Sequence, residues 1–293
     1  MTSRGTAAWS EWRSVQWNEI LSPPVLAELL DGGQAFRWGP DADGAWIGRW
    51  AGHTARLKRD DAGRLLWSAP EPGAAAVGRA LGVYLDTGRD GAALTDILPW
   101  RGDPHLLRCL RAFPGLRVLR QPFGETLLCF LCSSAKQIVQ IKQAVSLLGS
   151  RHGESGALPG WEAIARLPES ALRACLLGFR ARHIHGVAAF LAAHPGWLEE
   201  TEALPYPEAR ERLCGLPGVG EKIADCTLLF GAGRLEAFPV DVWILRAMAR
   251  RYGLEGWKPA QVAQFGRLHF GPHAGLAQQY IFAWERAYGA ENP

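Results

Sequence analysis

Five residues between two apolar segments, Leu216-Pro217-Gly218-Val219-Gly220, constrain the fold more than any other stretch of this chain. Two glycines and a proline force a sharp corner, and without side chains at Gly218 and Gly220 an anion can approach the backbone amides. The following run predicts a helix from about Glu221, whose free N–H groups and positive dipole end face the same point and suit a phosphate oxygen. Lys222 falls in its first turn, where the dipole disfavours an ammonium, an environment that suits a nucleophilic amine. Further on, Phe238-Pro239-Val240-Asp241-Val242-Trp243 leads from a proline loop into the apolar pattern Val242, Leu245, Ala249, so Asp241 reads as a helix N-cap. Capping alone would account for that aspartate, as a solvated corner would for the lysine. Yet Lys222 and Asp241 open two consecutive helices, and a hairpin between them can aim both side chains into one cleft. Glu221 is either an acid/base helper there or a solvated first-turn glutamate.

The 293 residues, 48% of them hydrophobic, are enough to bury one large or two modest cores. No uncharged apolar run reaches about 18 residues and residues 1–13 hold no apolar signal core, so the expectation is a cytoplasmic protein, neither secreted nor membrane-inserted. A net charge of +3 is compatible with nucleic acid but does not argue for it. The six cysteines (Cys109, Cys129, Cys132, Cys175, Cys214 and Cys226) lack the dense spacing of a disulfide scaffold and read as reduced thiols, the Cys129/Cys132 pair as core.

Organisation changes near residue 103. Residues 45–50, 53–59 and 64–67 are short segments between Asp/Gly turns, predicting an antiparallel sheet, and Val77–Leu85 reads as a short helix. From Pro104 the apolar spacing is helical throughout: Leu106, Leu107, Leu110; Ile138, Ile141, Ala144; Leu172, Leu176; Val187, Phe190, Leu191. The expected class is α+β, with an α/β domain over 1–103 and an all-α domain over 104–293.

Four segments in order carry a resemblance: residues 32–38 (Gly32-Gly33-Gln34-Ala35-Phe36-Arg37-Trp38), Leu119-Arg120-Gln121 through Cys132-Ser133-Ser134, residues 177–182 (Leu177-Gly178-Phe179-Arg180-Ala181-Arg182), and the hairpin with Asp241 followed by residues 270–275 and Gln278. From about residue 20 to 288 the chain resembles the helix-hairpin-helix DNA glycosylases, and within them the eukaryotic-type 8-oxoguanine DNA glycosylase/AP lyases. The resemblance implies a helical domain of two subdomains split by a DNA-binding cleft, a helix-hairpin-helix at about 208–232 and a catalytic aspartate loop at 238–243. It implies a base-excision enzyme that flips 8-oxoguanine out of the duplex, excises it through a Lys222 Schiff base with Asp241 beside it, and cleaves the strand by β-elimination. Phe282 and Cys226 match the faces of the base pocket, Gln278 the amide on the Watson–Crick edge, and Gly33 the carbonyl that accepts the N7–H of the oxidised base. Phe179 matches a wedge in the base stack and Arg180 a reader of the orphaned cytosine. The carbonyls of Cys214, Leu216 and Val219 match a hairpin site for a monovalent or calcium ion.

No cofactor is required by the resemblance, and no iron–sulfur cluster is expected because no cysteine follows Cys226. The implied partner is double-stranded DNA carrying a damaged purine, met by a monomer in a bacterial nucleoid or a eukaryotic nucleus. Three departures stand out. Ala135-Lys136-Gln137 replaces a run of asparagines, Gln140 aligns with a second cytosine-reading arginine, and Trp243 aligns with a histidine near the phosphate. Together the first two imply a relaxed preference for the opposite base. The alternatives are excision of another oxidised or alkylated purine, or a non-catalytic DNA-binding protein that uses the hairpin as a phosphate clamp.

Overall fold

Short strands and tight turns build the first layer. The structure, a computed structural model, describes residues 8–17, 19–133 and 136–289; Ser134 and Ala135, which belong to two of the segments compared above, lie outside the described residues. Strands β1 (Arg13–Ser14), β2 (Trp38–Pro40), β3 (Trp46–Trp50), β4 (His53–Arg59) and β5 (Leu65–Ser68) form one antiparallel sheet in the order β1-β5-β4-β3-β2. Ala51 and Gly52, at φ 43° and 76°, make the β3–β4 turn, the paired left-handed geometry whose twist matches its flanking strands. Trp38 pairs with Gly48 across β2 and β3, and a β-carbon at Gly48 would lie 2.2 Å from its ring, so a glycine is what lets Trp38 lie across the sheet. The indole N–H of Trp38 donates to Tyr84 Oη (3.0 Å) at the end of a covering helix.

The three expected strands are present as β3, β4 and β5. Missing from the expectation were β1 and β2, two and three residues long, too short to display alternation. The expected helix over Val77–Leu85 opens earlier, at Ala74.

Fifteen α-helices lie among the described residues. They are α1 (Pro23–Asp31), α2 (Ala74–Tyr84), α3 (Gly91–Asp96), α4 (Pro104–Ala112), α5 (Phe123–Leu131), α6 (Ile138–His152), α7 (Trp161–Ala165), α8 (Glu169–Leu172), α9 (Arg180–Ala193), α10 (Trp197–Ala203), α11 (Tyr206–Cys214), α12 (Glu221–Phe230), α13 (Val242–Tyr252), α14 (Pro259–Phe270) and α15 (Ala274–Tyr288). One continuous set of buried side chains runs from Leu21 through the sheet to Trp284. Gln34 stitches the loop after α1 to the segment before α5: its Nε2 donates to Arg117 O (2.8 Å), its Oε1 accepts from Leu119 N (2.9 Å), and its carbonyl accepts from Gln121 Nε2 (2.7 Å).

Two helical faces differ from their apolar spacing. In α13 the buried stripe is Ile244, Ala247 and Met248, while Val242 is exposed. Leu176, spaced as if on a helix with Leu172, instead sits in a π-type turn (Arg173–Leu177) at φ 60°, ψ 24° and is 49% exposed. In α13 tertiary packing chose a neighbouring phase of the apolar run, whereas at Leu176 the helix itself is interrupted.

Candidate active site

The corner between α11 and α12 is built as its composition requires. Gly218 has φ +75°, and a β-carbon there would lie 2.6 Å from the ring of His183, so conformation and space both demand glycine. Gly220, at φ −99° and with open space around it, is the N-cap of α12 and uses no side chain to cap it. Behind the corner Asp225 is buried, accepting from Tyr206 Oη (2.8 Å) and Arg210 Nε (2.9 Å). Burial raises its pKa, against the pull of Arg210. Arg210 also reaches Glu221 (3.1 Å). Glu221 is thus paired on the flank of the hairpin, away from the cavity lining, which corrects the acid/base-helper alternative.

Beyond the hairpin lies a cavity of about 860 Å³ that both Lys222 and Asp241 line. Its aromatic floor stacks Phe130 of α5 on Phe230 of α12 (centroids 5.4 Å apart, planes 14°), with Phe36 edge-on to Phe130 at 5.3 Å. The Lys222 ammonium lies 5.2 Å above the Phe130 ring and donates to Ser133 Oγ (3.1 Å), whose hydroxyl donates in turn to Phe130 O (2.7 Å). Asp241 caps α13, its Oδ1 accepting from Trp243 N (3.0 Å) and Ile244 N (2.8 Å). Burial raises the pKa of its carboxyl; the Ile244 amide and the charge of Lys222 oppose that rise. Among the described residues no ion pair joins Lys222 to Asp241, so the amine is not locked to the carboxylate.

The residues matched to a base pocket line the same cavity: Gly33, Cys226, Gln278 and Phe282, and Gln140 and Trp243 line it as well. Gly33 (φ +108°) presents bare backbone opposite Phe282; a β-carbon would come 3.7 Å from that ring and 3.2 Å from Ile138 Cδ1. Cys226 is buried and its thiol is pushed up to about 12 by burial, which makes it a neutral wall. Gln278 is also buried, and its amide is engaged on both sides: Nε2 donates to Pro239 O (3.2 Å) and Oε1 accepts from Gln279 Nε2 (2.5 Å). Gln140 spends its side-chain carbonyl on Gln137 N (3.1 Å), capping α6.

Other matched residues lie outside the cavity. Phe179 is 53% exposed with the Arg180 guanidinium 4.5 Å over its ring. Arg180 itself is buried, bonded to Leu177 O (3.3 Å), with Nε lacking a partner. Of the three hairpin carbonyls, that of Leu216 already accepts from Val219 N (3.1 Å). Among the described residues no group of three or more His, Cys, Asp or Glu side chains is arranged to hold a metal ion.

Sequence reasoning gave no role to Ser133, although it stood in a quoted segment, because its partner Lys222 is 89 residues away. It likewise missed Arg286 over the Phe282 ring (5.6 Å) and the Phe130/Phe230 floor, which read locally as ordinary apolar helix.

Residues 21–127 match the family described as 8-oxoguanine DNA glycosylase, N-terminal domain. The N-glycosylase/DNA lyase OGG1 of Arabidopsis thaliana is 34% identical over 202 residues, 62% of this chain and 55% of that protein; the chain thus spans about half the length of the curated relatives it matches. Among solved structures, the 8-oxoguanine glycosylase/lyase of Clostridium acetobutylicum bound to double-stranded DNA containing cytosine opposite 8-oxoguanine superposes with a TM-score of 0.83 at 28% identity, over 90% of this chain and 92% of that one. MBOgg1 in complex with a low-affinity DNA ligand gives 0.82 at 30% identity, over 89% and 92%.

Proposed function

The chain belongs to the 8-oxoguanine DNA glycosylase family, and from that premise we propose that it is a bifunctional glycosylase/AP lyase that removes 8-oxoguanine from double-stranded DNA and then nicks the strand. The observation that carries this reading is the convergence of Lys222 and Asp241 on one aromatic-floored cavity whose wall offers Gly33 backbone opposite Phe282.

The chemistry follows from those groups. Breaking the C1′–N9 bond builds positive charge on the sugar, which the Asp241 carboxylate steadies. Neutral Lys222 attacks C1′, the base leaves with the bonding pair and takes up a proton, and the nitrogen loses one. Ring opening gives an iminium, which acidifies C2′; loss of that proton expels the 3′ phosphate. The Gly33 carbonyl accepts the N7–H of 8-oxoguanine, whereas guanine would place a lone pair there, a penalty of roughly 1–3 kcal/mol. Gly218 and Gly220 let a phosphate reach the amides at the start of α12. The commitment of Gln140 to a helix cap favours a relaxed preference for the opposite base. Such an enzyme works where the genome is, in a nucleoid or a nucleus, and no helix of the described residues is long and apolar enough to cross a membrane. The hairpin carbonyls of Cys214, Leu216 and Val219 have the hard-oxygen chemistry for a monovalent or calcium ion, which would brace the corner.

The test is a labelled duplex with 8-oxoguanine opposite cytosine, incubated with protein and borohydride. A covalent protein–DNA band that disappears in Lys222→Gln, together with strand cleavage, is expected. Free base without a band would replace the lysine mechanism with a water-using one. Preferential turnover of another lesion in competition would change the substrate, and tight binding without turnover would leave only the phosphate clamp.

A further inference from the structure

Leu176 is placed against its own preferences twice over. Its φ of 60° crowds the β-carbon against the backbone, and its apolar side chain is 49% exposed to water. Both neighbours are anchored, Cys175 and Leu177 being fully buried, so the chain is pinned on either side of the residue it pushes outward. Two basic side chains grip the carbonyls of the turn: Arg151 Nη1 donates to Ala174 O (2.7 Å) and Lys136 Nζ to Leu176 O (2.6 Å). Lys136 also lines the catalytic cavity. Three residues on, Phe179 is the second exposed apolar tip, backed by Arg180, whose Nε has no partner within the protein. Two apolar tips, one held out in a strained conformation, flanked by basic groups next to a cavity that admits a flipped base, suit a surface that enters a base stack between phosphate strands.

We propose that Leu176 is a second intercalating residue, which enters the duplex beside Phe179 when the damaged nucleotide is extruded, with Lys136 as the positioning residue that holds it out and ties it to the cavity. This rests on the glycosylase reading. An apolar side chain that fills the vacated stack offsets part of the unstacking that flipping requires, so its loss acts on flipping and leaves the chemical step alone.

The test is Leu176→Gly, which suits the local φ and removes only the side chain. The variant is expected to melt at or above the temperature of the parent. Single-turnover excision of 8-oxoguanine paired with cytosine should slow about tenfold, while excision opposite an abasic site, where no partner base must be parted, keeps the parent rate. Lys136→Met should lower the same paired-to-abasic ratio. Equal paired rates for parent and Leu176→Gly would overturn the proposal. Should the parent release no base from any lesion duplex, the glycosylase reading fails, and 2-aminopurine fluorescence beside an abasic analogue decides this one separately. A rise with the parent that is lost in Leu176→Gly supports the wedge; no rise with the parent, or the same rise with both, overturns it.

Discussion

Asp241 carries two demands that conflict. As the N-cap of α13 it accepts from Trp243 N and Ile244 N, and in the proposed mechanism it must be ionised in a half-buried position beside Lys222. Burial lifts its folded-state pKa above the ordinary 3.8, so the folded chain holds this proton more tightly than the unfolded one. The resulting penalty on folding is absent below 3.8, grows as pH rises toward the raised folded value, and is constant beyond it. Asparagine caps as well as aspartate and bears no charge. Asp241→Asn should therefore melt no lower than the parent at pH 7 in scanning calorimetry, with any advantage gone near the ordinary carboxylate pKa, while single-turnover excision falls about 100-fold. Parent excision should itself decline as pH drops through the raised value of Asp241. Ser133 offers a second residue-level prediction. It orients the Lys222 amine across 3.1 Å, and Ser133→Ala should slow excision and borohydride trapping together by about tenfold, with the melting temperature little changed.

At the level of elements, the hairpin separates a glycine required by the fold from one that the proposed phosphate contact requires. Gly218→Ala meets both a φ of +75° and the His183 ring at 2.6 Å. It should lower stability by about 1–3 kcal/mol in thermal or urea melts and loosen the corner between α11 and α12. Gly220→Ala meets open space at φ −99°. It should cost under about 1 kcal/mol in the same melts yet weaken binding of an abasic-analogue duplex, since a methyl there stands between the α12 amides and a phosphate. Equal loss of DNA affinity per unit of lost stability in both variants would contradict the phosphate role of the corner.

Across the whole molecule, the two ends of the fold meet at the cavity that holds Lys222 and Asp241. Arg286 of α15 donates to the Glu28 carboxylate (3.0 and 3.1 Å) and to Gly32 O (2.7 Å), while its guanidinium lies 5.6 Å from the Phe282 ring. Burial raises the pKa of Glu28 even beside that arginine, so removing Arg286 strands a poorly solvated carboxyl as well as freeing the Gly32 carbonyl next to Gly33. Arg286→Ala is expected to lose about 1–3 kcal/mol of stability in denaturant melts and, in competition between lesion and undamaged duplexes, to discriminate less sharply between 8-oxoguanine and guanine. On the proposed reading, discrimination depends on a clamp whose parts are more than 250 residues apart in sequence.

Much of this was legible in the residues themselves. The Pro/Gly corner, the N-cap at Asp241, the three longer strands and the helical character after Pro104 are local properties, set by backbone sterics, capping chemistry and periodicity within a few residues. The resemblance then named Gly33, Cys226, Gln278 and Phe282, which line one cavity with Lys222 and Asp241. What the sequence could not decide was anything that depends on a distant partner. The edge strands β1 and β2 exist because neighbouring strands pair with them, and α13 buries Ile244 and Ala247 because of what packs on it. Arg180 lies buried, Glu221 turns to Arg210, Ser133 holds Lys222, and Leu176 is forced outward between two buried neighbours. Local physics fixes how a residue bends the chain; only the packed whole fixes which side chain it meets.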